Sequence, residues 1–266
     1  MNASAKRVAL VTGAASGLGW ALCQQLAPHC RLLMTDINAQ LLTERAATLG
    51  ARAQAADITT TEGQAVLLGC LQSDFGQLDY LINCAGITHR SLAANTRPCV
   101  FRKVMAVDYQ APVELSLQCL PLLKQSRGKI VNISSMAGWM PVLARAGYCA
   151  AKSAMNQFFE TLRCEIKRDG IRVLMVYPSF LDTPIETNAL GGDGNKARHR
   201  RSMIGKMRSP EWMAVRIWAA MQTEQERLFP DGFTRMASLL YALAPAFFLK
   251  RMSQKFASEL NPPGTL

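Results

Sequence analysis

Apolar runs rich in Val, Ile and Leu recur along the chain at RVALVT (7–12), RLLMTD (31–36), RAQAADI (52–58), LDYLINCAG (78–86), GKIVNISS (128–135) and IRVLMVYP (171–178). Several are nearly continuous rather than alternating, the pattern of parallel strands covered on both faces. Between them lie longer segments of helical character, such as GWALCQQLAP, AQLLTERAATLG and MNQFFETLRCEIKRDG. Strand and helix taking turns along the chain predict an α/β fold, a doubly wound parallel sheet flanked by helices on both faces. No repeat or Pro-, Gly- or Ser-rich linker divides the sequence, so one domain over 1–266 is expected.

Two segments stand outside the alternation. Residues 185–208 are expected to form a mobile substrate loop, since 189–207 (ALGGDGNKARHRRSMIGKM) are glycine-rich and then basic. They follow the sixth strand, near the carboxyl ends where ligands bind in open α/β sheets. Residues 234–266 are expected to be a C-terminal helical extension. Its apolar part, MASLLYALAPAFFL (236–249), is flanked by Arg235, Lys250 and Arg251. That stretch is shorter than the ~20 residues that span a bilayer, and Pro245 interrupts it. No transmembrane span is expected. The segment reads as a lid on the substrate entrance or a contact between subunits of a homo-oligomer (dimer or tetramer), with peripheral membrane contact as the alternative.

Composition changes this picture little. Hydrophobic residues make up 49% and charged residues 18%, a globular balance. The net charge of +11 admits an anionic cofactor, acidic lipid or nucleic acid, but no nucleic-acid motif accompanies it and no such partner is expected. Eight scattered cysteines without a C-x-x-C pair, and three distant histidines (His29, His89, His199), predict neither a metal site nor a disulfide framework. The strand-like VALVT begins at residue 8 and leaves no room for a signal peptide, so a cytoplasmic location is expected.

Candidate chemistry sits at the strand ends. VALVTGAASGLGWAL turns from strand to helix through Gly13, Gly17 and Gly19. Glycines there permit close backbone approach, and a helix N-terminus offers free N–H groups to a pyrophosphate. Asp36, about 20 residues on at the end of the second run, is placed to bind ribose hydroxyls; it could equally cap the next helix. A carboxylate there repels a 2′-phosphate, and Ala14, Ala15 and Ser16 supply no cation to attract one, so NAD is expected over NADP. In YCAAK, Tyr148 and Lys152 are four apart and share a helix face. A fixed positive charge beside a phenol favours the phenolate, which suits a tyrosine that passes protons.

From about residue 7 to residue 184 these motifs resemble the short-chain dehydrogenase/reductase family. TGAASGLG (12–19) matches its glycine motif, DI (57–58) its adenine-side acidic position, and NCAG (83–86) its N-N-A-G. ISS with YCAAK matches the serine and the Y-x-x-x-K pair, Ser135 lying thirteen residues before Tyr148. PSFLDTP (178–184) is similar to the family's P-G-x-x-x-T turn, with Ser179 in place of glycine. The resemblance implies a Rossmann-like fold and an NAD(P)-dependent oxidoreductase that moves hydride between the cofactor and a secondary alcohol or ketone. Tyr148 would exchange the hydroxyl proton, Lys152 would lower its pKa and hold the nicotinamide ribose, and Ser135 would bind the developing oxyanion. Cofactor contacts would come from Gly13, Ser16, Gly17, Leu18, Gly19, Asp36, Asp57, Ile58, Asn83, Ala85 and Gly86, with Pro178, Leu181 and Thr183 at the nicotinamide end.

One position departs from the family. Asp108 stands where a catalytic asparagine is usual, and an ionised aspartate accepts hydrogen bonds but donates none. Two readings stand: an enzyme in which Asp108 carries the proton or holds a water, or a weak catalyst that acts as an NAD(H)-responsive regulator. Trp139, Met140, Val142 and Leu143 are expected to line a pocket for a bulky apolar alcohol or ketone, although Trp139 and Met140 could equally be core.

Overall fold

The apolar runs pair as parallel strands: β1 (Arg7–Thr12), β2 (Cys30–Thr35), β3 (Arg52–Ala53), β4 (Tyr80–Asn83), β5 (Lys129–Ile133), β6 (Arg172–Val176) and β7 (Arg227–Leu228). They form one sheet in the order β3-β2-β1-β4-β5-β6-β7, each neighbouring pair parallel. The computed structural model describes residues 6–178, 180–197 and 207–257; Ser179, residues 198–206 of the expected substrate loop and residues 258–266 of the C-terminal extension lie outside them. The third run pairs over two residues only, Arg52 and Ala53 against Leu33 and Met34. Its remainder, QAADI, is mostly Ala and Asp, residues depleted in strands, with Ile58 its single β-branched side chain. β7 escapes a sequence reading because it is two residues long within a charged stretch.

Side chains alternate between two cores. Ala9, Val11, Met34, Ile82, Val131, Leu174 and Val176 pack beneath α1 (Gly17–Leu26), α2 (Ala39–Leu49) and α8 (Pro210–Met221). Val8, Leu10, Leu33, Leu81, Ile130, Val173 and Met175 face α3 (Thr61–Cys70), α5 (Ala111–Ser126) and α6 (Ala146–Ile166). Burial on both faces explains why these strands read as continuous apolar runs.

The strand order reverses between β1 and β4, the place where an open α/β sheet leaves a crevice. The two loops that bound it are tied together: Thr12 Oγ1 accepts the N–H groups of Cys84 and Ala85, both at 3.0 Å.

α4 (Pro98–Met105) runs towards α5 through a widened turn at residues 106–110, where the Ala111 N–H reaches back to Ala106 O. Pro112 has no N–H to give the Asp108 carbonyl, which accounts for the widening at that point. Asp108 lies on this turn, buried. After β6 come a short helix α7 (Pro184–Thr187), then α8, α9 (Gly232–Leu243) and α10 (Pro245–Lys255). Pro245 divides the last two, as its missing N–H requires.

Candidate active site

The glycine loop is shaped by contact. Gly13 has φ +66°, and a Cβ there would lie 2.8 Å from Ala85 Cα. At Gly19 a Cβ would fall 2.0 Å from Gly13 O, so only glycine lets α1 start this close to β1. Ser16 precedes α1 without a side-chain cap, which leaves the first-turn N–H groups open to an anion. Asp36 Oδ2 accepts the Ala15 N–H at 3.1 Å and Oδ1 the Asn38 N–H at 3.0 Å. It therefore braces the loop and faces the cleft. The cap of α2 is Asn38, whose side chain accepts from Leu41 N–H, so the capping alternative for Asp36 does not hold. Asp57 Oδ1 accepts the Thr59 N–H and hydroxyl at 2.9 and 2.7 Å.

These residues share one cleft of about 1070 Å³, together with Gly17, Leu18, Ile58, Ala85, Gly86, Ser135, Tyr148, Pro178, Leu181 and Thr183. Three expected site residues are not on its wall. Asn83 lies below, its amide donating to Asn132 Oδ1 at 2.8 Å and Ser116 Oγ at 3.0 Å, and so joins β4, β5 and α5. Lys152 and Asp108 sit just beneath Gly86, where a Cβ would come within 3.5 Å of Asp108 Oδ1 and 3.6 Å of Lys152 Nζ.

Tyr148 and Lys152 lie one turn apart on α6, the ammonium 5.8 Å from the ring centroid. Lys152 Nζ donates to Ile133 O at 3.0 Å and stands 3.5 Å from Asp108 Oδ2; Asp108 Oδ1 accepts the Ile87 N–H at 2.8 Å. Burial pushes the Tyr148 phenol up, Lys152 pulls it down, Asp108 pushes it up and the Ser135 hydroxyl pulls it down, with a net rise. Burial alone would lower the Lys152 pKa, but Asp108 and Tyr148 outweigh it and hold the ammonium protonated. Burial raises Asp108 above the ordinary carboxylate value, against the pull of Lys152.

The start of α6 is fixed from outside. Gly147 N–H donates to His89 Nε2 at 2.9 Å, so this nitrogen carries no proton and Nδ1–H faces Ser91 Oγ at 3.2 Å. Burial, aided by the Arg145 charge, pushes His89 down to about 4. Arg145 donates to Thr88 Oγ1 and to Glu186 Oε2, both at 3.0 Å, and Arg90 meets the same carboxylate oxygen at 3.0 Å. Backbone bonds between Thr88, Arg90 and Leu190 extend this tie. The first part of the expected substrate loop is thereby fastened to the turn carrying Tyr148, while residues 198–206 are outside the described structure. His89, Arg90, Arg145 and Glu186 carried no motif, because their role arises only from tertiary pairing.

Met140 and Val142 line the cleft as expected, but Trp139 and Leu143 do not. The Trp139 indole packs edge-on against Tyr177 and Phe229 and donates to Ser238 O at 3.3 Å, anchoring α9 to the turn after Ser135. Phe180, Ile185, Phe233, Met236, Leu240, Phe247 and Phe248 complete an apolar wall.

A parallel sheet with this reversal, a glycine loop at it and a buried Tyr–Lys pair define a nicotinamide-dependent oxidoreductase fold. Residues 7–192 match the model of the short chain dehydrogenase family, and the chain belongs to that family. It is 32% identical over 270 residues to the dehydrogenase/reductase SDR family member 7B of Bos taurus, covering 95% of this chain and 82% of that protein. To 11-beta-hydroxysteroid dehydrogenase A of Sesamum indicum it is 33% identical over 189 residues, 68% of this chain and 54% of that one. A short-chain dehydrogenase from Streptomyces avermitilis superposes with a TM-score of 0.79 at 25% identity, covering 97% of this chain and all of that one. The protein is an NAD(P)-dependent oxidoreductase. The cytoplasmic expectation is overturned by the similarity to the 7B proteins, which are membrane-associated. That expectation rested on missing targeting signals, which do not exclude attachment from one side. Among the described residues, no helix is long and apolar enough to cross a membrane.

His89 gives a pH test of the site's scaffold. Its folded pKa lies below the ordinary ~6.5, so the neutral ring stabilises the fold fully above ~6.5 and less as pH falls towards 4. The unfolding free energy from urea titrations should drop across that window, by up to about 1 kcal/mol per pH unit. His89→Gln, which keeps an acceptor but does not titrate, should flatten the decline.

Proposed function

We propose that the protein transfers hydride between NAD and a bulky, apolar secondary alcohol or ketone. The observation that carries the reading is Tyr148 on the cleft wall, one turn from a buried Lys152 whose Nζ lies 5.8 Å from the ring centroid. The cofactor fits the residues present: a tight turn in which neither Gly13 nor Gly19 has room for a Cβ, an uncapped helix start and an acidic group at the ribose position. When bound, it supplies the hydride acceptor or donor. The chain's residues handle the proton and the charge. In oxidation the Tyr148 phenolate takes the hydroxyl proton; in reduction the phenol returns it. Lys152 offsets the burial that otherwise disfavours the phenolate. Ser135, on the wall of the same cleft, donates to the substrate oxygen as it gains negative charge.

Asp36 supports NAD over NADP, since its carboxylate faces the cleft with exposed Ile37 beside it and no cation at 14–16. The apolar wall from Met140 to Phe248 supports a bulky, water-poor substrate. Asp108 supports a second reading, an NAD(H)-responsive regulator of low activity, because its charge opposes ionisation of Tyr148.

Three variants test these readings. Asp36→Ala should weaken NAD binding and narrow the preference over NADP, read by titrating both cofactors; unmodified protein that binds NADP more tightly overturns the NAD assignment. Tyr148→Phe should abolish turnover, by roughly a thousandfold or more, with cofactor affinity nearly unchanged. Tight cofactor binding without turnover across a broad panel of alcohols and ketones would favour the regulator. Asp108→Asn removes an anion that raises the phenol pKa, so the rising limb of the oxidation pH–rate profile should move to lower pH. A move to higher pH would show that Asp108 serves chiefly by keeping Lys152 charged, and a slower variant at every pH that it relays the proton.

A further inference from the structure

α9 is amphipathic in the wrong sense for a helix packed only on its own protein. The side it turns inward carries Thr234, Ala237 and Ser238, all buried. The side it turns outward carries Met236, Leu239, Leu240 and Leu243, spaced as one helical face, with Met236 64%, Leu239 56% and Leu243 83% exposed. Phe233 before them and Phe247 and Leu249 on α10 extend the exposed apolar surface across the bend at Pro245. Soluble chains rarely leave such a patch bare without a partner for it.

The surrounding charge says what kind of partner. Between 232 and 257 the sequence holds Arg235, Lys250, Arg251 and Lys255 and no Asp or Glu; all four cations are exposed, Arg251 and Lys255 at the edge of the patch where it meets the cleft. A second copy docked by this face on a twofold axis would set four cations against four, with no anion in the segment to pair them. An anionic lipid surface matches both features: apolar side chains enter the acyl boundary while Lys and Arg meet the headgroups. The geometry points to α9 and α10 as a monotopic docking surface for anionic membranes, with both helices lying in the interface and neither crossing it. Phe233, Met236, Leu240 and Phe247 also line the cleft, so docking brings the cleft's apolar wall to the lipid. That consequence, entry of an apolar substrate directly from the bilayer, rests on the dehydrogenase reading; the docking itself does not.

Co-sedimentation of the full chain with vesicles tests it without any turnover. Unmodified protein should pellet with phosphatidylcholine–phosphatidylserine vesicles, several-fold less with phosphatidylcholine alone, and less as salt is raised. Leu239→Ser with Leu243→Ser, neither of which lines the cleft, should lose most of the binding, and Arg235→Gln with Lys250→Gln should lose the preference for the anionic lipid. Unchanged thermal unfolding and cofactor binding in these variants establish that the fold is intact. No pelleting of the unmodified protein, or pelleting that survives the leucine changes, overturns the proposal. So does an oligomer that the leucine variant dissociates while vesicles bind neither form, which assigns the face to a second copy. Because no arm depends on catalysis, an inactive but vesicle-binding protein sinks the dehydrogenase reading alone.

Discussion

A single buried ammonium organises the catalytic end of this molecule. Lys152 is removed from water, which costs several kcal/mol unless its charge is answered. The answers come from two separate elements: the Ile133 carbonyl at the end of β5, and Asp108 on the widened turn between α4 and α5. Asp108 is in turn held by the Ile87 backbone on the loop after β4. The charge that tunes Tyr148 thus also ties the end of β5, the loop after β4 and the turn between α4 and α5 to α6. Removing one partner alone would leave an unanswered buried charge, a loss on the order of 3–5 kcal/mol.

Aspartate at this position changes the balance of the site. The carbonyl oxygen of a neutral amide could take the Ile87 N–H equally well, but it would offer the lysine no opposite charge. The carboxylate does both and also raises the phenol it indirectly serves. Two opposite electrostatic effects therefore pass through one side chain, and the protonation of Tyr148 is set by their difference.

The fold was legible because the sheet is covered on both faces. Full burial writes each inner strand as an apolar run, and β1 matches its run residue for residue. Edges carry no such record, which is why β3 shrinks to two residues and β7 goes unseen. The cleft was legible where chemistry needs a residue type at a fixed spacing, as at Gly13, Asp36, Ser135 and Tyr148. It was not legible where a residue acts by meeting a distant partner. Arg145 and Glu186 are 41 positions apart, and nothing local to either marks the pair. Trp139 stayed open between pocket and core for the same reason: an aromatic beside a catalytic turn can face inward or outward, and Tyr177, Phe229 and Ser238 decide which.

The bonds from Cys84 and Ala85 to Thr12 span more than seventy positions of sequence. The two sides of the crevice meet only after β4 has docked beside β1, so the cleft does not exist in a partly folded chain. Any ligand seated there binds the native state alone. Its free concentration then sets how often the chain opens globally, and with that its exposure to heat and to proteases. A cell that varies its pool of such a ligand thereby also varies how long this protein lasts.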